Sequence, residues 1–381
     1  MRIAYLSSAE IPSQTAHSLQ VMKMCEAMIE EGHEVSLFAP WIGNRRVSEE
    51  SDLRAFYGLD SNVFPSYVTA PHLLGRKGLA PFIVRRAMQE KYDLIYTRGV
   101  DFAFFSSRRG QSTALELHQM PSGRLGPLYF REYLRSRPRN PLVVISSRLK
   151  QLVLEQYASR DSFPILVAPD AVDLRKYAGL PNSSEARRRL GRPVDQFTVG
   201  YFGSLYEGRG IDLVVELAGQ MPDLSFLVGG GDEQQVGRFA RGESLGNVEW
   251  LRHVPHSKVP LWEAACDVLL MPYQIRVTVQ GKSDTAEVMS PLKLFEYMAA
   301  ERLILASDLP ALREVLHVGN SVLLVPDSPS AWRDMIRRAQ WDVKWREDLA
   351  KRARLDVTPH TWRNRVRAIL EPGRISLDGQ P

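Results

Sequence analysis

The chain has 381 residues, a length that suggests two domains rather than one core. Its 44% hydrophobic and 24% charged content is ordinary for a soluble globular protein, and no apolar run approaches the roughly 18 residues of a membrane span. The net charge of +5 hides an asymmetry. Residues 76–150 carry 15 Lys and Arg against 5 Asp and Glu, which points to an anionic partner: a phosphorylated substrate, nucleic acid or a membrane surface.

The N-terminus MRIAYLSSAE enters a strand at once, so no signal peptide is expected. Ile3 to Ser7 reads as that strand, followed by a polar loop from Ser8 to Ser18. A helix is predicted from Leu19 to Glu31, with Val21, Met24, Cys25, Met28 and Ile29 on its buried stripe and Gly32 closing it. Val35 to Phe38 is the next strand, and strand, helix, strand with short joints imply a parallel sheet. Leu94–Tyr96, Ala114–Leu117, Leu142–Ile145 and Ile165–Ala168 read as its later strands. A nicotinamide-binding unit would need a glycine fingerprint in the first turn and an acid ending the second strand. The turn SAEIPSQTAHS has no glycine, and the strand ends Phe38-Ala39-Pro40-Trp41. Both checks exclude a dehydrogenase.

Asp173 to Gln196, with Gly179, Pro181, Asn182 and two serines, is the best boundary, and a fresh α/β pattern follows it. Val199–Gly203 is a strand leading into the glycine-rich turn GSLYEGRG and a helix from Ile211 to Ala218. Leu224–Val228, Val248–Trp250, Val268–Met271, Leu303–Ala306 and Ser321–Val325 continue the sheet. Between the last strands lies DTAEVMSPLKLFEYMAA, whose second half has helical spacing at Leu292, Phe295 and Met298. Ser290 is expected to cap this helix and Pro291 to fill its first turn. Lys293 and Glu296, three apart near that end, put a cation and a carboxylate beside free amides, an arrangement suited to a diphosphate joined to a sugar. An ordinary surface Lys–Glu pair would show the same spacing. Cys25 and Cys266, far apart in helical segments, make neither a disulfide framework nor a metal site and fit a reduced cytosol.

The second half resembles the donor domain of glycosyltransferase family 4, retaining enzymes of the GT-B type within glycosyl transferases group 1. The resemblance rests on GSLYEGRGID, FLVGGGDE, VPHSKVPLWEAACDVLLMPY and SPLKLFEYMAAERLILASDLPALREV. The first half is similar to the acceptor domain through AHSLQVMKMCEAMIEEGHEVSLF, YDLIYTRG, LELH and VISSRLK followed by ILVAPDAVDL. The matches run in order over nearly the whole chain. They imply a GT-B fold, two doubly wound Rossmann-like domains facing each other across a cleft. Residues 1–180 would bind the acceptor, 181–358 the nucleotide-sugar donor, and 359–381 would form a helix and tail returning to the first domain.

The resemblance implies roles residue by residue. Arg209 matches the basic residue that holds the donor diphosphate, with Gly203, Ser204 and Gly210 in the same turn. Family members often carry a second basic residue at the position of Ser204, leaving Lys293 to supply that charge. Ser290, Pro291 and Leu292 offer backbone at the helix start, and Glu296 matches the second Glu of the family's Glu-x7-Glu motif, which takes the nucleotide ribose. The first Glu falls on Val288, a departure that leaves the donor sugar open; Glu287, one residue away, serves only if the loop shifts. His118 matches the family's His near the transferred sugar, and His17 can approach the acceptor or the donor phosphates.

The expected reaction is retaining transfer from a UDP- or GDP-sugar to a glycan, lipid-linked or small-molecule acceptor, with no cofactor and no metal, since no DxD pair occurs. Two alternatives stand beside it: another GT-B enzyme such as a sugar-nucleotide epimerase, or a non-catalytic GT-B-like binding protein. The basic segments LLGRKGLAPFIVRRAM and RLGPLYFREYLRSR mix cations with apolar residues and suit an anionic membrane surface, giving a cytoplasmic protein peripheral on the inner face of the membrane. No nucleic-acid module accompanies them.

Overall fold

The computed structural model describes residues 1–41, 50–69, 78–136, 138, 140–157, 163–240, 245–277 and 286–371. The chain forms two compact units, Met1–Asp170 joined by the C-terminal helix Trp362–Leu370, and Ala171–Thr361. Each is a parallel sheet with helices between its strands, a Rossmann-like α/β domain.

The first sheet contains β1 (Arg2–Leu6), β2 (Glu34–Pro40), β3 (Pro65–Val68), β4 (Leu94–Thr97), β5 (Thr113–Leu117), β6 (Leu142–Val144) and β7 (Ile165–Val167). Their order is β3-β2-β1-β4-β5-β6-β7, with Ile3 of β1 opposite Val35 on one side and Leu94 on the other. The chain therefore winds outward in both directions from β1 and β4, and the crevice beyond their carboxyl ends is where such sheets bind ligands. The sequence reading missed β3. It is four residues long, begins with proline and lies at the edge, where a missing N–H is tolerated. The first helix runs Ala16–Glu30, starting earlier than the expected Leu19, because Thr15 caps it and accepts from the Ser18 N–H at 3.2 Å.

The second sheet contains β8 (Thr198–Phe202), β9 (Ser225–Gly229), β10 (Val248–Arg252), β11 (Val268–Met271), β12 (Leu303–Ser307) and β13 (Val322–Leu324), in the order β10-β9-β8-β11-β12-β13. Its reversal lies between β8 and β11. Strand β12 shows why the apolar runs are continuous: Ile304 and Ala306 enter one core cluster, Leu303 and Leu305 the other, so both faces are covered. Residues 171–180, placed with the first domain by the sequence reading, pack here: Val172 and Tyr177 are buried among Phe295, Tyr297 and Met298.

The terminal helix is fastened to the first helix of the chain. Arg363 and Arg367 both donate to Glu31, at 2.6 and 2.5 Å. Among the described residues no helix is long and apolar enough to cross a membrane.

Candidate functional site

In the second unit, the turn after β8 presses against the segment after β11. Gly210 (φ +76°) ends the turn and caps the helix Ile211–Gln220; a Cβ there would stand 1.8 Å from the Pro272 carbonyl oxygen. Only glycine fits such a contact with that backbone. At Gly203 (φ +146°) the space for a side chain is taken by Lys293, whose Nζ lies 3.2 Å from where the Cβ would be. The missing side chain lets the ammonium lie against the backbone.

Lys293 reaches this place from the helix Leu292–Ala299. Pro291 (φ −74°, ψ 128°) occupies the N-cap position and carries no side-chain cap, so the helix starts one residue later than expected and Pro291 is not within its first turn. The helix is tied to β8 by Tyr297, whose hydroxyl accepts from the Phe202 N–H at 2.7 Å and donates to the Phe202 carbonyl at 3.1 Å. Lys293 is 7% exposed, with its Nζ 3.8 Å from the centroid of the Tyr201 ring and 4.7 Å from that of Tyr273. The Arg209 guanidinium lies over Tyr273 at 4.8 Å. Neither Lys293 Nζ nor Arg209 Nε has a hydrogen-bond partner.

Burial, then the Arg209 charge, push the Lys293 pKa well below its ordinary value, and Glu296 and Glu263 pull it back in part. Lys293 Nζ and Arg209 Nε, unpartnered beside a glycine turn and a helix start with no side-chain cap, suit an anion with several oxygens.

Other candidates occupy the margins of this site. Glu296 is partly exposed one turn along from Lys293. Ser204 is partly exposed, and its carbonyl accepts from the Tyr201 hydroxyl at 2.7 Å. Ser290 is half-buried just before the helix. Glu287 is exposed, whereas Val288 is 6% exposed and Met289 7%. The short turn at 286–288 thus turns valine inward and the carboxylate outward. The sequence reading missed Glu263, on the helix Val259–Ala264, which is fully buried and accepts from the Tyr177 hydroxyl at 3.0 Å. Burial and then Glu296 drive its pKa well above the usual carboxylate range. A lone Glu in the apolar run VPLWEAA was the available signal.

In the first unit, Glu116 and His118 stand at the end of β5. His118 Nε2 is hydrogen-bonded to Glu116 Oε1. His17 lies in the first turn of the helix Ala16–Glu30, not in a loop, and Arg98 follows β4, so these groups gather at the first sheet's own reversal. Burial, then Arg98, lower the His118 pKa to about 4. Burial, Arg98 and His118 hold His17 well below its ordinary value. Both imidazoles are therefore neutral near pH 7, able to exchange hydrogen bonds with hydroxyls.

Residues 196–341 match the family described as glycosyl transferases group 1, a stretch that holds Arg209, Lys293 and Glu296. The D-inositol 3-phosphate glycosyltransferase of Corynebacterium urealyticum is 26% identical over 237 residues, 58% of this chain and 53% of that protein. The chain thus aligns with about half the length of that relative. Sucrose-phosphate synthase from Thermosynechococcus elongatus superposes with a TM-score of 0.71 at 18% identity, over 97% of this chain and 98% of that one. HepE of Anabaena, solved with UDP-glucose, does so with a TM-score of 0.70 at 18% identity, over 98% and 99%. These structural neighbours have the GT-B fold, and the likeness gives that fold to this chain.

Proposed function

We propose that the protein is a retaining glycosyltransferase of family 4 that takes a UDP- or GDP-sugar in its second unit and passes the sugar to a glycan, lipid-linked or small-molecule acceptor. The observation that carries the reading is the pair Lys293 and Arg209, two adjoining side chains of which Lys293 Nζ and Arg209 Nε have no hydrogen-bond partner. A nucleoside diphosphate supplies what they lack: two to three negative charges and several acceptor oxygens. When the sugar leaves, the diphosphate gains charge, and groups already in place stabilise it without reorganising. In this reading Arg209, Lys293 and the amides at the start of the helix Leu292–Ala299 do this without a metal, and Glu296 takes the ribose. The match of residues 196–341 to glycosyl transferases group 1 supports it. So does the UDP-glucose named with HepE.

In the first unit, His118 and His17 serve the sugar and the acceptor as neutral hydrogen-bonding groups. Val288 departs from the family pattern, and Glu287 is exposed beside it, which favours the second reading, a binding protein without turnover. Release of free nucleoside diphosphate separates the two. Nucleotide-sugars are screened by thermal shift, and those that bind are offered a panel of glycosides and polyprenyl-linked sugars. Acceptor-dependent release supports the transferase, whereas binding with no release across the panel supports the binding protein.

We further propose peripheral association with an anionic membrane surface through the helix Gly126–Arg135. Leu125 and Leu128 are 53% and 52% exposed, and Arg124, Arg131 and Arg135 are exposed around them. The patch is narrower than the sequence suggested. Phe130 and Tyr133 are fully buried, and in the upstream helix Leu79–Ala87 both Leu79 and Ile83 face the core. Arg76, Lys77, Arg137 and Arg139 lie outside the described residues.

A further inference from the structure

Glu116 is fully buried, and side chains from four parts of the first unit are hydrogen-bonded to it. Gln20 Nε2, from the helix Ala16–Glu30, reaches Oε1 at 2.8 Å, and His118 Nε2 shares that oxygen. Arg365 Nη1, from the terminal helix, reaches Oε2 at 3.0 Å, and the Tyr96 hydroxyl of β4 shares that one. A carboxylate has about four acceptor positions, and all are filled. Glu116 therefore has no capacity left to take a proton from a ligand. Its neighbours are fixed in turn: Arg365 also donates to the carbonyls of Pro169 at 2.8 Å and Ala168 at 3.1 Å, and Gln20 accepts from Arg98 at 2.9 Å.

A buried ion pair is weak evidence for added stability, because desolvation offsets the attraction. What the cluster does specify is a proton position. Held ionised by Arg365, Glu116 can only accept, so the His118 nitrogen facing it must carry hydrogen. We propose that Glu116 is a positioning residue for His118: anchored by Arg365, Tyr96 and Gln20, it fixes the imidazole with Nε2 protonated and leaves Nδ1 as a bare acceptor for a ligand hydroxyl. The hydroxyl class rests on the reading of this unit as the sugar-side domain; the tautomer does not. The His118 side chain is 18% exposed, so the ring is within reach of a ligand. A ring locked in this way rewards a donor and rejects an ether at the same place.

The test is the long-range proton–nitrogen spectrum of the full chain with labelled histidine at pH 7, with His118 assigned by His118→Gln. The expected result is a protonated Nε2 and a bare Nδ1. In Glu116→Gln the amide can turn either face to the ring, and a mixture of tautomers is expected. Transfer in that variant should fall about tenfold in kcat, the factor one neutral hydrogen bond supports, with nucleoside diphosphate affinity unchanged. Arg365→Lys should keep the wild-type tautomer. A wild-type His118 protonated at Nδ1 overturns the proposal, as does an unchanged tautomer in a folded Glu116→Gln. The wild-type spectrum decides even if that variant fails to fold. The expected tautomer in a chain that binds no nucleotide would support the positioning role while counting against the glycosyltransferase reading.

Discussion

Lys293 holds its ammonium 3.8 Å from the centre of the Tyr201 ring with no hydrogen-bond partner, whereas the buried cations Lys23, Arg187 and Arg365 are each in an ion pair. A desolvated cation in such a place costs stability, and cation–π contacts recover only part of it. The arrangement is understandable if the site is completed by an anion. Lys293→Met keeps the length of the side chain and removes the charge. Urea unfolding should show the variant more stable by about 1 kcal/mol, as relief of functional strain often gives. Nucleoside diphosphate binding should weaken in the same variant. A variant that is less stable and binds as before would contradict this account of Lys293.

The same residue predicts a proton balance. Its folded pKa lies below the value of about 10.4 in the unfolded chain, so the unfolded state binds more protons between the two. The stability contributed by this group therefore rises with pH across that window. A bound diphosphate favours the charged form, so binding should take up protons wherever the free side chain is partly deprotonated. Calorimetry in two buffers of different ionisation enthalpy reads this uptake, which Lys293→Met should abolish.

His118 should stay neutral well below the usual range for histidine. With a folded pKa of about 4, its NMR resonances should not move between pH 7.5 and 5.5. Unfolded histidine titrates near 6.5, so the unfolded chain binds more protons between about 6.5 and 4. His118 therefore adds no penalty above that window and lowers stability as pH falls through it. Arg98→Gln removes a nearby cation and should raise the midpoint. A midpoint near 6.5 in the wild type would show that burial does not govern this group.

How much of this was legible in the sequence follows from the range of the interactions. Strands such as Leu303–Ser307 are runs of Leu, Ile and Ala, and apolar runs announce themselves. Pro65–Val68 does not, because an edge strand needs neither length nor apolar content. Lys293 and Glu296 stood out by their spacing behind Pro291, and Arg209 by the resemblance of its glycine-rich turn; the structure brings Lys293 and Arg209 over the same Tyr273 ring. The aromatic sleeve of Tyr201 and Tyr273 was hidden, since it exists only where β8 and β11 lie side by side. Glu116 and Arg365 are 249 residues apart, and no local pattern joins them.

The turn after β8 should be intolerant of any side chain at Gly210. Gly210→Ala combines a left-handed backbone with a Cβ placed 1.8 Å from a carbonyl oxygen that belongs to the neighbouring segment. The melting temperature should fall, with a loss of roughly 1–3 kcal/mol or more from backbone strain alone. Gly191→Ala is the control: it shares a positive φ, but its Cβ meets nothing within 4 Å. Equal losses at the two positions would mean that close packing against Pro272 contributes nothing.

The exposed patch around Leu128 should bind vesicles rich in anionic lipid and not neutral ones, and the binding should fall with salt as screening grows. Leu125→Ser with Leu128→Ser should reduce it, and Arg131→Gln with Arg135→Gln should reduce it further. Nucleoside diphosphate affinity should persist in all of these. A wild type that ignores anionic vesicles at low salt would leave a water-borne acceptor as the better reading.

Calorimetric titration with UDP and GDP tests most directly whether the second unit holds a nucleoside diphosphate through Arg209 and Lys293. At least one of the two should bind the wild type, and Arg209→Ala should lose roughly 1.5–3 kcal/mol, about 10- to 150-fold, as expected for hydrogen bonds to a charged group. Glu296→Ala should also weaken binding, through the ribose. Failure of both nucleotides to bind, or an affinity unchanged in Arg209→Ala, would contradict the account.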